Sequence, residues 1–247
     1  ILRAKRARVL LAAPTGRAVL YVHGFIDYFF QAHLAQAFNA RGYHFYALDL
    51  RKYGRSLRPH QHPNFCRDLR EYFAEIDAAI GLIRSEGGDW LLGAGHSTGG
   101  LIWALYAHEG LRRESVKALF LNSPFLDLNG PALKKLAADA AGALGRALPY
   151  LKINGAVSPL YPMSLHCDYH GEWAFNTRWK PIEGFPAYFG WLRAIRAAHR
   201  QVQAGLNIQC PVLLMHADKS IYGKTWREAF LTGDAVLNVD DMRRLAS

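Results

Sequence analysis

The chain has 247 residues, 51% hydrophobic and 20% charged, which suits one large domain or a core with one insertion and excludes a small stapled scaffold or a disordered chain. Thirty Lys and Arg against 20 Asp and Glu give a formal charge of +10, with five basic residues and no acid in residues 1–17 and six basic residues and one acid in residues 51–70. That balance favours approach to anionic surfaces and says nothing of fold.

The elements follow in chain order. The apolar run Ala18 to Val22 reads as a strand ending at His23 and Gly24, followed by a helix around His33 to Arg41 that Gly42 is placed to stop. Phe45 to Leu48 is a second strand. A helix from Leu69 to Ser85 carries Tyr72, Ile76, Ile80 and Ile83 on one face. The strand Trp90 to Ala94 leads through a Gly-rich turn into the helix Leu101 to His108, which has little polar surface and should lie against the sheet. Ala118 to Leu121 and Val212 to His216 are further strands, and Asp241 to Ala246 is a final helix. Strands and helices alternating in this way predict an α/β fold with a mainly parallel sheet and helices on both faces. Residues 127–209 break the alternation with a helix near Leu133 to Leu148 and then a stretch rich in aromatics and prolines, Tyr161, Trp173, Phe175, Trp179 and Trp191 among them. They are expected to form an inserted cap on a core made of residues 1–126 and 210–247.

The sharpest motif is Gly95-His96-Ser97-Thr98-Gly99, a G-x-S-x-G pentapeptide between a strand and a helix. A nucleophile elbow holds its serine in a strained conformation, so the positions two residues away must be small for strand and helix to approach. Gly95 and Gly99 meet that need, and Ser97 would stand at a helix N-terminus, where unpaired N–H groups favour developing negative charge. A dinucleotide site fits poorly, because Gly99 falls one residue late for G-x-G-x-x-G after Gly93-x-Gly95.

With His23-Gly24-Phe25 after one strand, Asp49-Leu50-Arg51-Lys52-Tyr53-Gly54-Arg55-Ser56 after the next, and Gly95 to Gly100 after the third, the chain resembles the α/β-hydrolase superfamily along its whole length. Within that superfamily it is most similar to serine lipases and esterases of the monoacylglycerol lipase and lysophospholipase type. The resemblance implies an acyl-enzyme at Ser97, with an oxyanion hole made by the backbone N–H groups of Phe25 and Thr98. It makes His23 and His96 structural parts of their turns. The family order of serine, acid and histidine puts the acid after the strand Val212 to His216. Asp234 is preferred, because an apolar stretch and a helix follow it, and Asp218 is the alternative. No histidine follows His216, so the catalytic histidine, with the last strand and helix of the fold, is expected outside this sequence, which opens on Ile1 and stops at Ser247 directly after a helical pattern.

The implied substrate is a lipid-like carboxylic ester, a monoacylglycerol or lysophospholipid, handled without metal or organic cofactor. The alternatives are a non-catalytic binding protein on the same fold, or a hydrolase of small soluble esters, amides or peptides. Residues 127–200 hold nine Lys or Arg and five Asp or Glu, which with the cap aromatics suits peripheral contact with an anionic lipid surface. No nucleic-acid module is visible. His166-Cys167-Asp168-Tyr169-His170 would suggest a metal site only if helical, and Pro162 nearby argues for irregular structure. Cys66, Cys167 and Cys210 form no CxxC and point to neither a disulfide framework nor a thiolate zinc site. No apolar run approaches the roughly 18 residues of a membrane span, and the basic start lacks the apolar region of a secretory signal. A cytoplasmic protein is expected.

Overall fold

Short apolar runs separated by amphipathic stretches fold, in the computed structural model, into a sheet flanked by helices. The structure describes residues 2–3 and 16–246; Lys5, Arg6 and Arg8 of the basic N-terminal run lie outside them. The elements are β1 (Leu2–Arg3), β2 (Arg17–Val22), α1 (Ala32–Ala40), β3 (His44–Leu48), α2 (Phe73–Ser85), β4 (Trp90–His96), α3 (Thr98–Glu109) and β5 (Val116–Asn122). Then come α4 (Ala132–Leu144), β6 (Lys152–Ile153), α5 (Leu160–Leu165), β7 (Ala187–Tyr188), α6 (Phe189–Gln203), β8 (Val212–Met215) and α7 (Val239–Leu245). The main sheet has the order β1-β3-β2-β4-β5-β8. Its β2, β3, β4, β5 and β8 run parallel, and the two-residue β1 pairs antiparallel with β3 at one edge. This is the mainly parallel sheet that the alternation predicts, and it agrees with the α/β-hydrolase fold that the motif resemblance implies.

Side-chain alternation along β2 divides the core. Val19 and Tyr21 meet Ala35 of α1 on one face. Ala18, Leu20 and Val22 meet Ile76, Ile80 and Ile83 of α2 and the apolar α3 on the other. Residues Thr98 to Ala107 are all buried, as expected of a helix with so little polar surface. On the α1 side, β8 presents Leu213 and Met215, which are 64% and 49% exposed.

Among the differences from the sequence reading, the helix near Leu133 to Leu148 ends at Leu144, and the short β1, α5, β6 and β7 were not expected. β4 continues two residues further, because Gly95 and His96 pair with Val22 and Asn122 of the neighbouring strands. The helix expected from Leu69 begins as a 3-10 turn, Leu69–Tyr72, where Asp68 and Glu71 form a capping box. α6 went unassigned within the aromatic stretch; its Trp191, Leu192, Ile195, Ala198 and Val202 join the same core cluster as α2 and α3. Their spacing is helical, but the prolines and aromatics just before them mask it. No helix among the described residues is long and apolar enough to cross a membrane.

Candidate active site

β4 delivers its chain into α3 with no intervening loop, so Ser97 takes both the turn and the helix cap. Its backbone sits at φ 53° and ψ −117°, a region that L residues rarely occupy. The turn is held by Ser97 N–H donating to Asn122 O (3.0 Å), and by Leu101 N–H and Phe125 N–H both donating to Ser97 O (3.1 and 3.0 Å). Leu101 makes the first intrahelical bond, so the N–H groups of Thr98, Gly99 and Gly100 precede it and are the helix-terminal donors. A Cβ on Gly95 would lie 2.6 Å from the Gly99 carbonyl group, and one on Gly99 would overlap the carbonyl oxygens of Val22 and His23. Both glycines are therefore required by close approach, as the pentapeptide implies.

The loop after β2 is pressed onto this elbow. A Cβ on Gly24 would come within 3.1 Å of His96 Nδ1 and 3.2 Å of Ser97 Cβ, which keeps Phe25 beside the serine. Phe25 stacks on Trp191 of α6 (4.2 Å between centroids). His23 is fully buried: its Nδ1–H donates to Gly24 O (2.8 Å), while Nε2 accepts from Leu50 N–H (3.1 Å). Burial pushes its pKa down, and both nitrogens are committed, so it acts as a strut between two loops. Asp49 supports the same loop, accepting from Phe29 N–H (3.0 Å) and pairing with Arg55 (2.7 Å). That gives the Asp49–Ser56 motif a mechanical role behind the site.

Asp27 and Lys180 were not singled out in the sequence. Asp27 is 2% exposed; its carboxylate accepts from Lys180 Nζ (2.8 Å) and lies 3.7 Å from His96 Nδ1. Burial alone would raise its pKa, but Lys180 and then His96 overcome that and hold the carboxyl well below the usual range. The pair ties the segment before α6 to the loop that bears Phe25.

Phe25, Ser97 and Asp234 share one cavity of about 260 Å³, with Val157, Leu165, Phe230 and Leu237 among its apolar walls. Three of the residues with positive φ other than glycine, Ile26, Ser97 and Ser123, line it. Strain of this kind collects where a structure is over-determined around a site. Asp234 lies in a loop bridged to Ser220. Its Oδ1 accepts from Val236 N–H (2.9 Å) and Leu237 N–H (2.7 Å); among the described residues Oδ2 has no hydrogen-bond partner. Asp218 is exposed, and only its carbonyl is engaged, by Arg243. A second cavity of about 300 Å³ shares Asp27, His96, Tyr161, Leu165 and Lys180 with the first.

A family model described as serine aminopeptidase, S33, matches residues 13–224. The chain belongs to this S33 hydrolase family. A soluble variant of monoglyceride lipase from Saccharomyces cerevisiae, solved with a substrate analogue, superposes with a TM-score of 0.67 at 18% identity, over 93% of this chain and 72% of the lipase. A monoacylglycerol lipase from Paleococcus ferrophilus gives 0.65 at 22% identity, over 92% and 78%. The esterase Est1E from Butyrivibrio proteoclasticus, solved with ferulic acid, gives 0.54 at 18%, over 93% and 74%. At these identities the likeness is one of α/β-hydrolase fold. Comparison with curated protein sequences found no match.

Three further histidines of this S33 hydrolase, His199, His166 and His170, are engaged away from Ser97. His199 is fully buried on α6: Nε2–H donates to Phe125 O (2.9 Å), while Nδ1 faces Arg196 (3.3 Å). Burial pushes its pKa down to about 4. His166, Cys167 and Asp168 converge, but on a turn rather than a helix. His166 Nε2–H donates to Phe175 O (3.1 Å) and Nδ1 accepts from Asp168 N–H (3.1 Å), so neither nitrogen has a lone pair free for a metal. His170 stacks on Trp226 (3.8 Å). Of the aromatics in residues 127–209, Tyr161 lines the Ser97 cavity, whereas Phe175 and Trp179 pack with Tyr28 and Phe30 on the β2–α1 loop.

Proposed function

We propose that the chain is a serine carboxylic ester hydrolase that cleaves a lipid-like ester, a monoacylglycerol or lysophospholipid, through an acyl-enzyme at Ser97. The observation that carries this reading is the junction of a strained Ser97, the first N–H groups of α3 and an apolar cavity reaching Asp234. Ser97 Oγ attacks the ester carbonyl and gives its proton to a histidine supplied from outside residues 1–247, which Asp234 Oδ2 orients. The carbonyl oxygen becomes an oxyanion held by the N–H groups of Phe25 and Thr98, each donor worth roughly 3 to 4 kcal/mol in the transition state. Collapse breaks the ester C–O bond, the imidazolium protonates the departing alcohol, and water then releases the acid from Ser97 by the same steps. The reaction as written uses no metal or organic cofactor.

Residues 127–209 act in this proposal as the cap on a core made of 1–126 and 210–247, with Tyr161, Pro162 and Leu165 closing the cavity from above. The lipid preference rests on the apolar walls. Rates on p-nitrophenyl esters from acetate to laurate, beside aminoacyl amides, test the substrate class on the full-length protein. The proposal expects kcat/KM to rise with acyl length. A preference for acetate, or for the amides, would overturn the lipid part and favour the small-ester or peptide alternative.

A further inference from the structure

A surface helix ordinarily turns its polar face to water, whereas α4 turns an arc that is mostly leucine and alanine to water. Two of its three charged residues, Lys135 and Asp139, turn toward ion-pair partners on neighbouring segments. Lys135 bridges Asp127 (2.7 Å) and Asp241 (3.1 Å), and Asp139 pairs with Arg196 (2.9 Å) and Arg200 (3.1 Å). The outer arc is leucine and alanine: Leu133, Leu136 and Leu144 are 75%, 65% and 56% exposed, with exposed Ala137 and Ala140 between them. Leu148 and Leu151 continue the apolar surface beyond the helix, 55% and 48% exposed. An uncovered apolar face of this kind marks an interaction site.

Charge selects the partner. The exposed charges between Pro131 and Lys152 are Lys134, Arg146 and Lys152, all cationic; the one acid in that stretch, Asp139, is the residue paired with Arg196. A second copy would bring the same cations face to face, whereas an anionic bilayer offers hydrocarbon to the leucines and headgroups to the amines. We propose that the outer face of α4, continued through Leu151, is a docking surface for anionic phospholipid bilayers, with Leu133, Leu136 and Leu144 entering the interface and Lys134, Arg146 and Lys152 contacting headgroups.

The binding needs no turnover, so it stands or falls separately from the hydrolase reading. The test is co-sedimentation with phosphatidylcholine vesicles, with and without phosphatidylglycerol. Three forms are compared: the unaltered protein, the triple variant Leu133→Ser, Leu136→Ser, Leu144→Ser, and the triple variant Lys134→Gln, Arg146→Gln, Lys152→Gln. All six side chains are exposed, and matching circular dichroism melts establish that the variants are folded. The unaltered protein is expected to partition onto phosphatidylglycerol vesicles about tenfold more strongly than onto phosphatidylcholine alone. The serine variant should lose binding to both, and the glutamine variant should lose the preference. Equal sedimentation of all three forms, no binding by the unaltered protein, or a dimer in light scattering that the serine variant dissociates would each overturn the proposal, the last in favour of self-association.

Discussion

Asp234 and Asp218 stand only sixteen residues apart, both after β8 in the chain, yet their surroundings differ. Two N–H groups hold one oxygen of Asp234, which lines the cavity, and the other has no hydrogen-bond partner among the described residues, while Asp218 faces water. If Asp234 is the orienting acid, as proposed, Asp234→Asn is expected to lower kcat by about a thousandfold to ten-thousandfold. Asp218→Asn should leave it within about twofold, and steady-state kinetics on one ester decides between them; the reverse ranking would move the acid to Asp218. The Asp27–Lys180 pair is buried on both sides. Lys180→Met strands the carboxylate, and urea unfolding should show a loss of about 3 to 5 kcal/mol that the double variant with Asp27→Asn largely restores. An additive double variant would mean the pair is not coupled. Ser97 was legible because its motif is local. Asp27 and Lys180 were not, because 153 residues separate them and neither has a neighbour in sequence that hints at the other.

At the scale of elements, α6 is where sequence and structure part most. Its His199 is kept neutral inside a cluster with Asp127, Arg196 and Lys135, with a pKa near 4 in the folded state. An unfolded histidine titrates near 6.5. Between those values the unfolded chain binds more protons, so the stability present above about pH 6.5 is lost as pH falls toward 4, by up to about 3 kcal/mol. Asp27 and Asp127, held low by their cationic partners, act in a separate window, their contribution fading only below the usual carboxylate range. Urea midpoints across pH 7 to 4.5 should fall in the unaltered protein and fall less in His199→Gln; parallel slopes would place the acid sensitivity elsewhere. Strands β2, β4 and β5 and helices α2 and α3 could be read from period and glycine placement, since their apolar faces are regular. α6 could not, because its helical period follows directly on Phe185, Pro186 and Tyr188, whose composition speaks for irregular chain.

Across the whole molecule, the site is assembled from segments that lie far apart in sequence: the β2–α1 loop, the β4–α3 elbow, α5 and the loop that carries Asp234 all contribute to one cavity. Fold class was legible because strand–helix alternation is a property of the entire chain. The cavity was not, since its walls depend on how residues 127–209 return over the sheet. The central claim concerns one hydroxyl, and covalent labelling reads it directly. The full-length protein treated with an alkyl fluorophosphonate, digested and mapped by mass spectrometry should carry a single adduct on the peptide containing Ser97, with Ser97→Ala unlabelled and inactive. An adduct on another serine, or undiminished ester hydrolysis by Ser97→Ala, would contradict the account.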